Sequence, residues 1–224
     1  MSDSLFKKNN DSYSQHIMPY SHEREVVWKE IVKILKVYIS SNDYVLDIGA
    51  GHCHFINNIK CKKKFALDLS PETKKWANKD VIIFHGDCLD IHILGDQKFD
   101  IVFLSNLLEH LERNNIQNLL KNIRGKLNTD GKIIILQPNY RYASREYFDD
   151  FTHITPLDHV SLAQVLKISG YRILKIFPKF LPYSMDSKFT LFSNSFLFKW
   201  LVYIYLRFPI KFNAKQMLVI AKSN

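Results

Sequence analysis

The feature that most constrains the fold is a buried-strand pattern that runs directly into a glycine turn, VLDIGAG at residues 45–51. Glycines at such a turn let the backbone approach a ligand closely, at the point where the next helix offers unpaired N–H groups. Strand and helix patterns then alternate along the chain. This alternation predicts parallel crossovers, and therefore an α/β protein with a doubly wound, mostly parallel sheet.

Hydrophobic periodicity places the individual elements. It predicts helices at residues 22–39, 52–60, 112–127 and 160–169, and strands at 64–69, 81–87, 99–105, 132–137, 171–177 and 216–222. Ser70 followed by Pro71 reads as an N-cap with proline at the first helical position, for a helix that runs to about Asn78. Asp130-Gly131 is predicted to be a turn before the fifth strand.

A length of 224 residues, with 46% hydrophobic and 24% charged residues, predicts one globular domain at residues 16–224. The polar residues 1–15 lack periodicity and are expected to be flexible. The N-terminus has no apolar segment typical of a secretory signal. The three cysteines form no CxxC pair, which favours a reducing compartment, with the cytoplasm as the default.

The formal net charge is +9, and the densest basic cluster is Lys60, Lys62, Lys63 and Lys64. Such a charge fits nucleic acid, an anionic membrane surface or a phosphorylated substrate, but it equally fits an ordinary solvated surface. No nucleic-acid-binding module is visible, so we expect no nucleic-acid partner.

Acidic residues stand at or near the ends of three successive predicted strands, Asp47, Asp68 and Asp87. The glycine turn departs from the dinucleotide fingerprint, which requires a small residue where this chain has His54. Asp68 is placed to accept hydrogen bonds from ribose hydroxyls, and Asp87 to meet an adenine amino group. These positions predict a site for an adenosine that carries a positive charge; the alternative for each acid is a helix cap or a turn residue.

The ordered set VLDIGAG, FALDLS, FHGDCLD, FDIVFLSNLLEHL and DGKIIILQP resembles the class I S-adenosylmethionine-dependent methyltransferases over residues 44–178. The resemblance implies their Rossmann-like, seven-stranded fold, with an N-terminal helix and a C-terminal apolar helix added in this chain. It also implies S-adenosylmethionine as the cofactor. The implied cofactor-binding set is Asp47, Gly49, Ala50 and Gly51 around the methionine, Asp68 and Leu69 at the ribose, Asp87 and Cys88 at the adenine, with Ser105 and Asn106 closing the site.

Transfer of a methyl group to a hydroxyl benefits from a general base, for which histidine is the usual residue. His110 follows the fourth strand, and His153 lies in an acceptor loop at residues 138–160, where Tyr140, Arg141 and Tyr147 are candidate substrate contacts. The alternatives are a structural role for His110 and a hydrogen-bonded loop role for His153. The nearby acids and histidines (Asp149, Asp150, His153, Asp158 and His159) lack a recurring ligand spacing, so no metal site is expected.

Some acceptors are disfavoured. Ser105-Asn106-Leu107-Leu108 is not the motif of enzymes that methylate exocyclic amines, and no cysteine has the setting of a pyrimidine C5 nucleophile. The segments HERE at 22–25 with Trp28, QPNYRY, DDFTHITPL and FLPYS are similar to methyltransferases of bacterial polysaccharide and sugar-modifying clusters. That looser resemblance implies O-methylation of a sugar, glycan or related small molecule, with Tyr20 and Arg24 capping the cofactor or binding the acceptor, or else standing on an ordinary exposed helix face. The alternatives are a lipid or quinone acceptor, RNA, an NAD-dependent oxidoreductase and a non-catalytic regulatory module.

The apolar stretch at residues 189–208 is too short and too interrupted to span a bilayer. It is expected to be a helix that acts as a lid over the substrate pocket, as a homodimer contact or as a peripheral contact with a membrane surface. The last option would hold the protein at the inner face of the membrane.

Overall fold

Seven strands form one sheet in the computed structural model, which describes residues 20–183, 196–208 and 211–224. The strands are β1 (Tyr44–Ile48), β2 (Lys63–Asp68), β3 (Val81–His85), β4 (Phe99–Ser105), β5 (Leu127–Pro138), β6 (Tyr171–Pro182) and β7 (Ala214–Ser223). Their order is β3-β2-β1-β4-β5-β7-β6. Only β7 runs antiparallel to its neighbours, β5 and β6. The doubly wound, mostly parallel sheet predicted from the sequence is therefore confirmed.

Helices connect the strands and cover both faces of the sheet. They are α1 (His22–Leu35), α2 (His54–Asn58), α3 (Thr73–Trp76), α4 (Arg113–Lys126), α5 (Tyr140–Ala143), α6 (His159–Ile168) and α7 (Phe196–Arg207). Short 3₁₀ turns lie at Ile91–Leu94, Leu108–His110 and Tyr147–Asp149.

The core is divided into two layers by the alternation of side chains along each strand. In β4, Val102 and Leu104 pack in the layer with α4 and α6, whereas Ile101 and Phe103 pack in the layer with α1, α2 and α7. All four side chains are buried. Burial of each such side chain stabilises the fold by roughly 1.5–3 kcal/mol, so the apolar strands fix the sheet from which the functional loops project.

The helix predicted to start at Ser70-Pro71 begins instead at Thr73 and ends at Trp76. The carbonyls of Ser70 and Pro71 accept hydrogen bonds from the N–H groups of Thr73 and Lys74, so these residues form a preceding turn. The Ser70 hydroxyl accepts from the Glu72 N–H at 3.3 Å. Ser70 therefore caps a turn and not the helix, which corrects the predicted start. The first helix, predicted to reach residue 39, likewise ends at Leu35.

The predicted turn at Asp130-Gly131 is an irregularity inside β5. Leu127 pairs with Phe99, and the next pairing is Lys132 with Ile101, so residues 128–131 bulge out of the ladder. Asp130 has φ +67°, a conformation that an aspartate tolerates better than most residues. The strand therefore starts five residues before the predicted residue 132.

The apolar helix α7 packs one side against the core and turns the other outward. Leu206 is buried, and Val202 and Tyr205 pack in the same layer as α1. Of the stretch predicted at residues 189–208, residues 189–195 lie outside the described residues, as does the predicted flexible segment 1–15. Within the described ranges, every helix is too short or too polar to cross a bilayer.

Candidate active site

The glycine turn after β1 adopts backbone conformations that favour glycine. Gly49 and Gly51 have φ +72° and +49°, values that glycine adopts without the steric cost paid by other residues. A Cβ added at Gly49 would lie 3.3 Å from Leu107, whereas one added at Gly51 would meet no described atom within 4 Å. The backbone at Gly51 therefore borders open space, and Ala50 lies between the two glycines on the same turn.

Asp68 connects this turn to the end of β2. Its carboxylate accepts hydrogen bonds from the N–H of Gly51 at 2.7 Å and from the N–H of Ser70 at 2.8 Å. Each oxygen has a further lone pair, so the group can still accept from a ligand hydroxyl. Leu69, the next residue, offers its carbonyl to the ring Nε2 of His85 at 2.9 Å.

Asp47 is almost fully buried, with 3% of its surface exposed. Burial, and next to it the charge of Asp68, hold the pKa of the Asp47 carboxyl well above its usual range, against a backbone hydrogen bond from Ile56. Two carboxylates at one edge of the sheet repel each other, and a cation bound there would relieve the repulsion. The site therefore favours a positively charged ligand.

The ends of β3 and β4 complete this edge. Asp87 is exposed and accepts a hydrogen bond from the N–H of Leu89 at 2.8 Å. Burial, helped by Asp87, raises the pKa of the half-buried Cys88 thiol to about 12, so the thiol stays protonated. Asn106 has φ +48°, and its side chain donates to the Ser105 hydroxyl at 3.3 Å. Because β3, β2, β1 and β4 are adjacent and parallel, these predicted residues all lie at one edge.

Tyr20 and Arg24 lie beside the glycine turn. The Tyr20 ring stacks on Trp76 with centroids 4.8 Å apart and on His54 at 5.5 Å. Its hydroxyl donates to Glu25 at 2.8 Å. The pKa of His54 falls to about 4, first through burial and then through the charges of His52 and Arg24. The start of α1 therefore approaches the site from the side of the turn.

Three side chains predicted to contact the substrate hold the acceptor loop together. Tyr147 is fully buried, and its hydroxyl donates to the Thr155 carbonyl at 2.7 Å. Tyr140 packs edge-on against Tyr147 with centroids 5.2 Å apart. Arg141 donates through Nε and Nη2 to one oxygen of Asp158, at 3.1 and 2.9 Å. These contacts give the three side chains structural roles in the loop, and their contacts with a substrate stay predictions.

Both predicted catalytic histidines meet at one cluster, together with Glu109. One ligand atom of each of Glu109, His110 and His153 lies within 4.8 Å of the others. The His110 and His153 rings meet edge to face with centroids 4.8 Å apart. Glu109 is fully buried, and neither carboxylate oxygen has a hydrogen-bond partner among the described residues. Burial raises the pKa of this carboxyl to about 8.

Hydrogen bonds fix how the two imidazoles carry their protons. The Nδ1 of His153 lies 2.6 Å from the Tyr147 carbonyl, which can only accept, so Nδ1 carries the proton. The Thr152 hydroxyl donates to Asp150 at 2.6 Å and therefore accepts from Nδ1 of His110 at 2.9 Å. In the neutral form, each ring then has its lone pair at Nε2.

Burial lowers the pKa of both histidines. For His110 the pKa falls to about 4, with His153 as the second cause and opposing contributions from Asp150 and Thr152. For His153 burial outweighs the Tyr147 hydrogen bond and the charge of Asp150. Both rings are therefore neutral near pH 7, with Nε2 able to accept a proton or bind an ion.

A comparison with protein-family models identifies the family, and the match includes the residues of this site. A family model described as a methyltransferase domain matches residues 20–176. The chain belongs to the methyltransferase-domain family. This membership confirms that the protein is a methyltransferase enzyme with S-adenosylmethionine as its cofactor. No curated protein matches the chain.

Solved structures share the fold of this methyltransferase. A SAM-dependent methyltransferase from Archaeoglobus fulgidus is 21% identical, with a TM-score of 0.63 over 87% of this chain and 92% of that one. One from Thermotoga maritima is 13% identical, with a TM-score of 0.67 over 99% of each chain. The N-methyltransferase NodS from Bradyrhizobium japonicum, solved with S-adenosylhomocysteine, is 13% identical, with a TM-score of 0.59 over 92% and 90%. At these identities, the likeness is one of fold.

Sequence reasoning missed Glu109 of the methyltransferase. Of the five acids and histidines weighed above as a metal cluster, only His153 belongs to the group that the fold assembles; its neighbours there are Glu109 and His110. The available signal was the pair Glu109-His110 itself, an acid beside a histidine just after a buried strand. Its partner, His153, lies 43 residues further on, a separation at which no local pattern operates.

Proposed function

We propose that this methyltransferase transfers the methyl group of S-adenosylmethionine to a hydroxyl of a sugar, glycan or related small molecule in the biosynthesis of a bacterial surface polysaccharide. The observation that carries the proposal is the pair of neutral imidazoles, His110 and His153, whose lone pairs are at Nε2 beside the carboxyl end of β4. An oxygen acceptor must lose a proton, and such nitrogens can take it.

The residues at the sheet edge fit the cofactor. We assign Asp47 and the turn Gly49-Ala50-Gly51 to its cationic methionine end, since burial and the charge of Asp68 raise the pKa of Asp47, a cation there would stabilise its ionised form, and Gly51 borders open space. Asp68 and Leu69 would meet the ribose, and Asp87 and Cys88 the adenine. Ser105 and Asn106 would close the site. Tyr20 and Arg24 would cover it from the start of α1, and the stacking of Tyr20 on His54 and the effect of the Arg24 charge on His54 support this assignment.

The proposed reaction is an in-line displacement. The acceptor oxygen forms a bond to the methyl carbon while the bond from that carbon to sulfur breaks, and the electron pair remains on sulfur, which becomes a neutral thioether. The hydroxyl proton passes to Nε2 of His153 or His110. The protein contributes mainly alignment of the three reacting atoms and removal of this proton.

The first experiment is a transfer assay with labelled S-adenosylmethionine and a panel of acceptors: nucleotide sugars, lipid-linked saccharides, a quinone-type phenol and RNA. We expect turnover with a saccharide and a product whose methyl group is on oxygen, as located by NMR. A product methylated on nitrogen or carbon, or turnover with RNA alone, would contradict the proposal.

The His153→Ala variant tests the base. If Nε2 of His153 accepts the proton, we expect turnover to fall by about 10²-fold or more, because a positioned base contributes that much. Affinity for S-adenosylhomocysteine should remain, since His153 lies in the acceptor loop. His159→Ala is a suitable control, because this histidine lies in the same part of the chain but contacts Asn139 and Tyr142. Near-normal turnover of His153→Ala would rule out the role.

The outward face of α7 supports a peripheral contact with the inner face of the membrane, in a protein that otherwise resides in the cytoplasm. Trp200, Leu201 and Ile204 follow one another at helical spacing and are between 37% and 49% exposed. Lys199 is also exposed on this helix, and such a mixture suits an anionic lipid surface. A second copy of the chain is the alternative occupant.

A further inference from the structure

The cluster at Glu109 places a buried carboxylate, whose oxygens have no hydrogen-bond partner among the described residues, beside two imidazoles. A fully buried carboxylate without a described hydrogen-bond partner costs free energy, unless a proton or a cation neutralises it. It lies within 4.8 Å of ligand atoms on His110 and His153. Two imidazole nitrogens and one carboxylate oxygen form the ligand set of many catalytic sites that bind a divalent transition metal and keep further positions open.

We propose that Glu109, His110 and His153 bind a divalent transition-metal ion between the 3₁₀ turn after β4 and the acceptor loop. An ion in such a site lies about 2.1 Å from each ligand atom, so the side chains must close on it by about 1 Å. Mixed nitrogen and oxygen ligands favour Zn²⁺, Mn²⁺ or Fe²⁺ over Mg²⁺ and Ca²⁺, which prefer oxygen alone.

The surrounding hydrogen bonds support this assignment independently of the cluster itself. A metal-binding histidine usually donates its other ring N–H to a carbonyl, a carboxylate or a similar acceptor, which orients the ring and fixes the tautomer. His153 donates Nδ1–H to the Tyr147 carbonyl at 2.6 Å. His110 donates Nδ1–H to the Thr152 hydroxyl at 2.9 Å, and that hydroxyl is held by Asp150 at 2.6 Å. Both rings thus have the outer contacts of metal ligands, with Nε2 as the coordinating atom.

Charge around the cluster also favours a cation. The Asp150 carboxylate lies 3.8 Å from Nε2 of His153. Tyr147 packs against the His153 ring with centroids 4.8 Å apart, and Tyr183 donates to the Tyr147 carbonyl at 3.3 Å. Both phenols are uncharged near pH 7, and burial raises their pKa further. The described groups facing the cluster are thus acidic or neutral.

One consequence rests on the proposed function. An open coordination position would take the acceptor oxygen, and a coordinated hydroxyl loses its proton more easily than a free one. His153 would then act as a ligand and not as the base, because its Nε2 lone pair cannot serve both purposes. Metal binding, and not turnover, therefore distinguishes the two roles.

The test measures metal binding directly. The full chain is treated with a chelator, dialysed and titrated with Zn²⁺ and Mn²⁺ by calorimetry, and Co²⁺ is added separately to record its visible absorption. We expect about one ion per chain, and a Co²⁺ spectrum typical of nitrogen and oxygen ligands. Glu109→Gln keeps the shape but removes the charge, and it should weaken binding at least tenfold, as should His153→Ala. Thr152→Val, which removes the hydroxyl that lies between His110 and Asp150, should weaken binding about 10-fold.

His92→Ala is the control, since His92 is an exposed histidine away from the cluster. It should bind as the unmodified chain does. Folding of each variant is checked by its melting temperature and by its titration with S-adenosylhomocysteine. Equal binding by Glu109→Gln and the unmodified chain would assign the ion to an adventitious surface site, and no binding by the folded chain would exclude the site; both results overturn the proposal. Saccharide O-methylation in excess chelator would support the proposed function and show that it does not need the metal. Metal binding together with an N-methylated product would support the metal site and contradict the proposed function.

Discussion

Asp47 and Asp68 end neighbouring strands, and the cost of placing them together falls mainly on the more buried of the two. Asp68 receives two backbone N–H donors, whereas Asp47 is held with a raised pKa by burial and by the charge of Asp68. A carboxyl group with a shifted pKa is common at sites where a protein binds a ligand. The turn beside them also has an unusual backbone, because two of its residues adopt positive φ.

The Asp47→Asn variant tests the free-energy cost of burying Asp47 beside Asp68. Because the pKa of Asp47 is higher in the folded chain than in the unfolded one, the free energy of unfolding falls as pH rises from the ordinary carboxyl range through the raised pKa. The variant removes this titration. We expect it to be more stable than the unmodified chain near neutral pH by about 1 kcal/mol or more, with the difference shrinking toward about pH 4. Thermal denaturation across pH measures this.

The same variant should bind S-adenosylhomocysteine more weakly, by roughly tenfold or more, because a charge-assisted contact is lost. Equal stability at all pH values would mean that Asp47 is ionised and compensated in the cofactor-free protein. Asp100→Asn is a comparison at an acid outside the site, since Asp100 accepts from the Tyr44 N–H and the Asn128 amide.

Gly49→Ala and Gly51→Ala form a matched pair. Both place a side chain at positive φ, which costs about 1–2 kcal/mol. Only the first also brings Cβ to 3.3 Å from Leu107, so it should reduce the melting temperature more. The second places a methyl group in the open space beside the turn, and it should therefore weaken cofactor binding more. Thermal denaturation measures the melting temperatures, and calorimetric titration measures the affinity for the cofactor. If Gly49→Ala weakened cofactor binding more than Gly51→Ala, the ligand would not lie beside Gly51.

Among the elements, α6 shows how the acceptor loop is anchored to the fold. Asp158 caps the helix by accepting from the N–H groups of Val160 and Ser161 at 3.0 and 2.8 Å, and the Ser161 hydroxyl accepts from the Asp158 N–H at 2.9 Å. The Arg141 guanidinium reaches the same carboxylate from α5. One acid thereby ties the end of the loop to its beginning.

Asp158→Ala should destabilise the protein by about 1–2 kcal/mol, the usual cost of losing such a cap. Burial raises the pKa of Asp158, but the hydrogen bonds from Ser161, Arg141 and Val160 outweigh it and lower the pKa to about 2. The contribution is therefore complete above the ordinary carboxyl pKa and is lost as pH falls from about 4 toward about 2. Arg141→Ala, at a side chain that is 53% exposed, should cost less than about 1 kcal/mol. Chemical denaturation at neutral and acidic pH checks the order; a larger loss for Arg141→Ala would contradict it.

The outward face of α7 should bind an anionic membrane surface. The unmodified protein should co-sediment with vesicles that contain an anionic phospholipid, more than with neutral vesicles, and less as salt is added. Trp200→Ser should reduce the bound fraction several-fold without lowering the melting temperature, since about half of this side chain is exposed. Concentration-dependent dimerisation that Trp200→Ser abolishes, with no binding to vesicles, would assign the face to a second copy of the chain.

For the fold, the sequence predicts the parts that local patterns specify. Strands such as β4 are apolar on both faces, so a continuous apolar run in the sequence predicts their positions. Once the strands are placed, the acids at their ends are placed as well. The start of α3 does not follow, because Ser70-Pro71 suits a turn and a helix equally well. The role of Tyr147 does not follow either, since burial of an aromatic side chain depends on contacts made across the fold. The fold likewise brings Glu109 close to His153, which no local pattern indicates.

The position of β7 has a consequence for how this protein is made. The strand follows β6 in the chain, yet it lies between β5 and β6 and pairs with both. During synthesis, β5 and β6 therefore emerge from the ribosome with their facing edges unpaired, and each remains without that neighbour until residues 214–223 have been translated. Unpaired strand edges are prone to join other chains. Release of the nascent chain before this point should yield aggregates, because β7 supplies the pairing that both edges lack.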